Sequence, residues 1–275
     1  MVKRIIIIVS AVLAVVVLAV VGIVVVGDLS APRYASGAIA EGPTTEDEDF
    51  GVVSVYTVDD EGDLDPAADG LTEHVWDTFT RVATDDFVAE TMIEYQVGDA
   101  PKSDTLAAVF QSDDPEYWVL SANLATSTED SDLIPTLVHE YAHLLTLDGT
   151  QMNPGVKTCR TVELSEGCAL GDSYLWDFEQ EFWAEYSDAP APDNSDEDVA
   201  YEFYLEHEDD FVSDYAATNV VEDLAESFMT FVLEDRPDSE STVARKLEFF
   251  WQYQEFIEIR ERIRTEFQSD LGLVG

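Results

Sequence analysis

The stretch that decides the fold is Leu133-Ile134-Pro135-Thr136-Leu137-Val138-His139-Glu140-Tyr141-Ala142-His143-Leu144-Leu145-Thr146-Leu147. Apolar Leu133, Leu137, Tyr141, Leu144 and Leu145 recur at helical spacing, which predicts a helix over 133–147. Two histidines four apart on a helix lie on one face a single turn apart, so the imidazoles of His139 and His143 can both reach one metal ion. Glu140 follows the first histidine directly and points into the adjoining sector. There its carboxylate can take a proton from a water instead of ligating. The chain has 4 histidines in all, so the full pattern is hard to produce by chance.

A catalytic zinc needs a third protein ligand and one open position. The metzincin arrangement supplies a histidine six residues after the second one, and Gly149 stands there instead. Neither Cys159 nor Cys168 sits in a CxxC unit, so thioredoxin-like chemistry lacks its residues. A carboxylate from a downstream helix remains, and two segments compete: Glu222-Asp223-Leu224-Ala225-Glu226 and Glu181-Phe182-Trp183-Ala184-Glu185. Each puts two glutamates on one helical face. The first glutamate can bind metal, while the second accepts from a ligating histidine and fixes its tautomer. Glu222 as ligand, with Glu226 behind it, is preferred. Val221, Leu224, Ala225, Phe228, Met229 and Val232 would dock that helix onto the histidine helix. Tyr215, seven residues upstream, brings a phenol that could donate to an oxyanion.

Together with Tyr215-Ala216-Ala217-Thr218-Asn219 and Glu222-Asp223-Leu224-Ala225-Glu226-Ser227-Phe228, the histidine motif resembles the lethal-factor-like gluzincins, a group of zincin metallopeptidases. The resemblance covers roughly residues 130–235 and is specific at the two motifs. It implies Zn2+ bound by His139, His143 and Glu222, with Glu140 as general base and acid and Tyr215 as stabiliser of the tetrahedral intermediate. Between the motifs lies a long insert carrying both cysteines, which departs from the pattern and leaves the substrate cleft undefined.

Bulk properties narrow the setting. The chain has 275 residues, and 59 Asp plus Glu against 13 Lys plus Arg give a formal net charge of -46. Such a surface repels phosphates, which argues against nucleic acid and anionic lipid faces as partners. Self-repulsion on this scale is relieved when salt near 1 M shortens screening to about 3 Å, so a halophilic setting is expected. Hydrophobic residues are still 46% of the sequence, enough for a packed core. Residues 5–26 carry no charge and are long enough for a membrane-crossing helix of about 20 residues. Lys3 and Arg4 precede them, which places the N-terminus inside and the remainder outside. A cleaved signal peptide, giving a secreted protein, is the competing reading. In an exported chain Cys159 and Cys168 are expected to form a disulfide.

The chain therefore divides into an anchor or signal segment (1–27), a linker (28–49) and one catalytic domain (50–275). Strand character over Phe50–Val58, Thr91–Val97, Thr105–Gln111 and Tyr117–Asn123 predicts a small antiparallel or mixed sheet. Tyr117–Asn123, just before the histidine helix, is read as the edge on which an extended peptide is laid. Helices are expected over Leu71–Val88, Phe178–Tyr186, Asn219–Leu233 and Ala244–Phe267, with more helix from Val199. His74 and His207 read as ordinary surface or partly buried side chains. The expected whole is an α+β zincin-like domain behind a membrane helix, an endopeptidase acting on polypeptide outside the membrane. The competing answers are a zincin scaffold that has lost turnover and binds at the cell surface, and a surface-layer structural protein holding no metal.

Overall fold

The computed structural model describes residues 46–47 and 49–272. The apolar run 5–26 lies outside the described residues, and among those described no helix is long and apolar enough to cross a membrane. The fold is α+β. In chain order the elements are β1 (Glu46–Asp47), β2 (Gly51–Val52), β3 (Ser54–Val58), β4 (Leu64–Asp65), α1 (Gly70–Ala83), α2 (Asp85–Thr91), β5 (Met92–Gly98), β6 (Ala107–Gln111) and β7 (Trp118–Asn123). They continue as α3 (Asp130–Leu147), β8 (Met152–Asn153), β9 (Glu163–Leu164), β10 (Gly167–Ala169), α4 (Tyr174–Phe182), α5 (Glu197–His207), α6 (Val220–Leu233), α7 (Thr242–Phe250) and α8 (Gln254–Glu266). Two 3-10 turns, Glu208–Asp210 and Tyr215–Ala217, separate α5 from α6.

The main sheet runs β4-β3-β5-β7-β6, with β5 and β7 parallel and the other pairs antiparallel. It is the mixed form of the small sheet expected. Every residue of β7 is buried, without the polar alternation of a solvent-facing strand, and this is the signature of an interior strand. That corrects one expectation: Trp118–Asn123 lies between β5 and β6, and the edges of the sheet are β4 and β6. At the far end of β5, a Cβ on Gly98 would stand 1.7 Å from the Phe50 carbonyl oxygen, so only glycine lets the β1–β2 hairpin close there.

Helix α3 is buried without interruption from Leu133 to Leu144, as befits a helix enclosed on every side. It packs on α1 and β6, and α6 packs across it. Pro135 sits inside its second turn, where it removes one backbone donor. Three helices differ from expectation for local reasons. The stretch 71–88 is two helices, because Thr84 turns to φ 98° and its hydroxyl accepts from Phe87 N at 3.3 Å, capping α2. Helix α4 starts at Tyr174 because Ser173 Oγ caps it, accepting from Trp176 N at 3.2 Å. The stretch 244–267 breaks at residues 251–253, which brings Phe250 and Phe256 together against Phe228, at centroid distances of 5.5 and 5.4 Å. The insert holds a three-stranded sheet, β8-β10-β9, with Cys159 and Cys168 joined in a disulfide.

Candidate metal centre

The third and fourth turns of α3 deliver His139 and His143 into the core with the rings 4.7 Å apart and nearly perpendicular. Across from them, α6 begins at an Asn219 cap whose side chain accepts from Val221 N at 2.8 Å and Glu222 N at 3.0 Å. Asn219 Nδ2 also donates to the Asn194 carbonyl, and Asn194 Nδ2 donates to the Thr218 carbonyl, both at 3.0 Å. The helix start is thereby fixed against the loop before α5. Its positive dipole end faces the carboxylates of the first turn, Glu222 among them.

Three ligand-capable atoms converge. His139 Nε2 lies 3.0 Å from His143 Nε2 and 3.1 Å from Glu222 Oε2, and His143 Nε2 lies 3.5 Å from the same oxygen. Zinc ligands about 2.0 Å from a tetrahedral ion stand about 3.3 Å from one another, which is the size of this triangle. His139 Nδ1 is 2.9 Å from Glu226 Oε1. A carboxylate only accepts, so Nδ1 donates to Glu226, and an ion in the triangle would take the Nε2 lone pair in place of a proton there. Ser213 Oγ donates to the other oxygen, Glu226 Oε2, at 2.6 Å.

Charge points the same way. Glu140, Glu222 and Glu226 are all buried, beside only two imidazoles. Burial would lower the His139 pKa, but the Glu222 and Glu226 carboxylates hold it well above the ordinary imidazole range. Burial opposes ionisation of Glu222, yet the two imidazoles pull its pKa below the usual carboxylate range. A buried carboxylate cluster of this kind is costly without compensating positive charge. Lys246 cannot supply it, since its ammonium is spent on Asp223 at 2.7 Å.

Glu140 Oε2 accepts from the Val109 backbone N at 2.9 Å, and burial pushes its carboxyl up to about 7. Its other oxygen, His143 Nδ1 and the Tyr215 hydroxyl are buried with no hydrogen-bond partner. Among the described residues only Thr80 adds a fourth such atom, so unpartnered polar groups concentrate at this one place. Each costs about 1–3 kcal/mol when left unpaired, which packing alone does not explain. Tyr215 lies 5.9 Å from His139 between ring centroids, and burial together with Glu222, Glu140 and Glu226 raises its pKa well above the usual phenol value.

The residues present therefore suit a divalent ion bound by two imidazoles and one carboxylate. Glu181 and Glu185, the competing pair, are exposed. His74 pairs with Asp130 at 2.7 Å and His207 with Asp188 at 3.2 Å, both away from the triangle. Sequence reasoning missed Ser213 and the Val109 backbone N–H. The first sits three residues before Ala216 in a capping pattern, Ser213-Asp214-Tyr215-Ala216, which was the available signal. The second depends on strand order, which no local motif carries. Comparison with protein-family models, with curated proteins and with solved structures gives no match.

Proposed function

We propose that the chain is a zinc-dependent endopeptidase of the gluzincin type, cleaving extended or unfolded polypeptide outside the membrane. One observation carries the reading: a zinc-sized triangle of His139 Nε2, His143 Nε2 and Glu222 Oε2 beside a buried, protonatable Glu140. His139, His143 and Glu222 would hold the ion. When bound, zinc supplies Lewis acidity, lowering the pKa of a water to about 7 and polarising a carbonyl.

The remaining steps belong to the chain's own side chains. Glu140 takes the proton of the attacking water and gives it to the departing amine, a role suited to a carboxyl whose pKa is near 7. Tyr215, whose hydroxyl is buried beside Glu222, donates to the oxyanion. Glu226 keeps His139 in the Nδ1–H tautomer. Strand β6 has β7 on one side, and Val109 N points away from that partner toward Glu140. An extended peptide would pair along this outer edge, with its scissile bond carried to the base by the same backbone.

The deciding experiment replaces Glu140 with Gln. Hydrolysis of a denatured protein substrate falls by about two to four orders of magnitude, while bound zinc is retained. If wild-type protein carries zinc yet hydrolyses no member of a peptide library, the scaffold serves as a binding module and the enzymatic reading fails.

A further inference from the structure

Glu226 is held at both oxygens, and only one of its partners belongs to the ligand set. His139 Nδ1 occupies Oε1 at 2.9 Å, and Ser213 Oγ occupies Oε2 at 2.6 Å. The Ala216 backbone N–H donates to the same Ser213 oxygen at 3.1 Å. A hydroxyl has one proton, and an acceptor already engaged by Ala216 N directs that proton to Glu226. Ala216 belongs to the 3-10 turn that carries Tyr215. The segment before it is tied down at Asp210, whose carbonyl accepts from Lys246 Nζ at 2.7 Å. One hydroxyl thus joins the carboxylate that orients His139 to the turn that presents Tyr215.

The geometry points to Ser213 as a positioning residue for the metal centre, acting through Glu226 on the tautomer and orientation of His139 and fixing the place of Tyr215. This rests on the metal-site reading above. Without the hydroxyl donor, Glu226 is free to rotate, and the Nδ1–H bond that aims His139 Nε2 at the ion is no longer held from behind. Outer partners of metal-binding histidines typically carry about 10- to 100-fold in affinity, and a group one bond further out belongs at the lower end.

Three substitutions separate this role from simple capping of the turn. Ser213→Thr keeps both hydrogen bonds. Ser213→Asp can still accept from Ala216 N but cannot donate to Glu226. Ser213→Ala loses both. Zinc affinity is read by chelator competition on the full chain, and the His139 Nδ1–H···Glu226 bond by histidine 15N NMR on metal-free protein. Ser213→Ala and Ser213→Asp are expected to bind zinc about 10-fold more weakly than wild type. In both, the Nδ1-bound proton signal of His139 exchanges or broadens, and Ser213→Thr stays at wild-type values in both readouts. Wild-type behaviour of Ser213→Asp in both measurements overturns the assignment, leaving only a capping role. If wild-type protein binds no zinc, the peptidase reading falls on its own, and the nitrogen spectra still decide whether Ser213 holds His139. Should Ser213→Ala fail to fold, the Thr and Asp variants carry the comparison.

Discussion

His139 is committed at both ring nitrogens, one toward Glu226 and one toward the triangle with His143 and Glu222. This makes Glu226→Ala informative. Zinc affinity, measured by chelator competition, should drop by about 10- to 100-fold while one ion per chain still binds at saturation. Unchanged affinity would remove Glu226 from the site. His139, Glu140 and His143 were legible because a helix converts sequence spacing directly into shared faces. Glu222 and Glu226 were legible for the same reason, although choosing them over Glu181 and Glu185 needed the apolar face of the surrounding helix. Ser213 and the Val109 N–H act through tertiary approach, and their neighbours in sequence give no hint of Glu226 or Glu140.

At the level of elements, the few cations do structural work at helix ends. Arg264 Nη1 donates to the Leu233 carbonyl at 2.6 Å and Arg260 Nη1 to the Val232 carbonyl at 3.0 Å, so α8 satisfies the last carbonyls of α6. Arg262 Nη1 donates to the Arg81 carbonyl at the end of α1, at 2.9 Å. The α6 end could not be completed this way from within, since α6 has no basic residue in its last turn. Arg264→Met should therefore lower stability by about 1–2 kcal/mol in urea melts, with zinc content unchanged. The Asp223–Lys246 pair is buried completely at 2.7 Å, with Trp183 Nε1 also donating to Asp223 at 2.7 Å. Lys246→Met strands a buried carboxylate and should cost about 3–5 kcal/mol, most of it recovered by adding Asp223→Asn. Full additivity of the two changes would mean the pair is not coupled. Strand identity and the histidine helix could be read from pattern, because burial there follows periodicity. Sheet order could not, since β6 reaches the edge only by passing over β7, and the break between α7 and α8 depends on packing against Phe228.

Across the whole molecule, 59 acidic residues face 13 basic ones. Several of those cations, Lys246, Arg260 and Arg262 among them, are turned inward onto carbonyls or a buried carboxylate. The surface is left to mutual repulsion, so unfolding midpoints should rise steadily from low to molar salt and then level off. A midpoint independent of salt would contradict the view that the composition is an adaptation to high ionic strength. The same charge imbalance makes the enclosed carboxylates of the centre costly, and a divalent ion answers that cost locally whatever the solvent does. The direct test is the metal content of the purified protein, measured by elemental analysis for wild type and for His143→Ala and Glu222→Ala. The account predicts one zinc per wild-type chain, lost from both variants. Wild-type protein without metal, or variants that retain it in full, would contradict it.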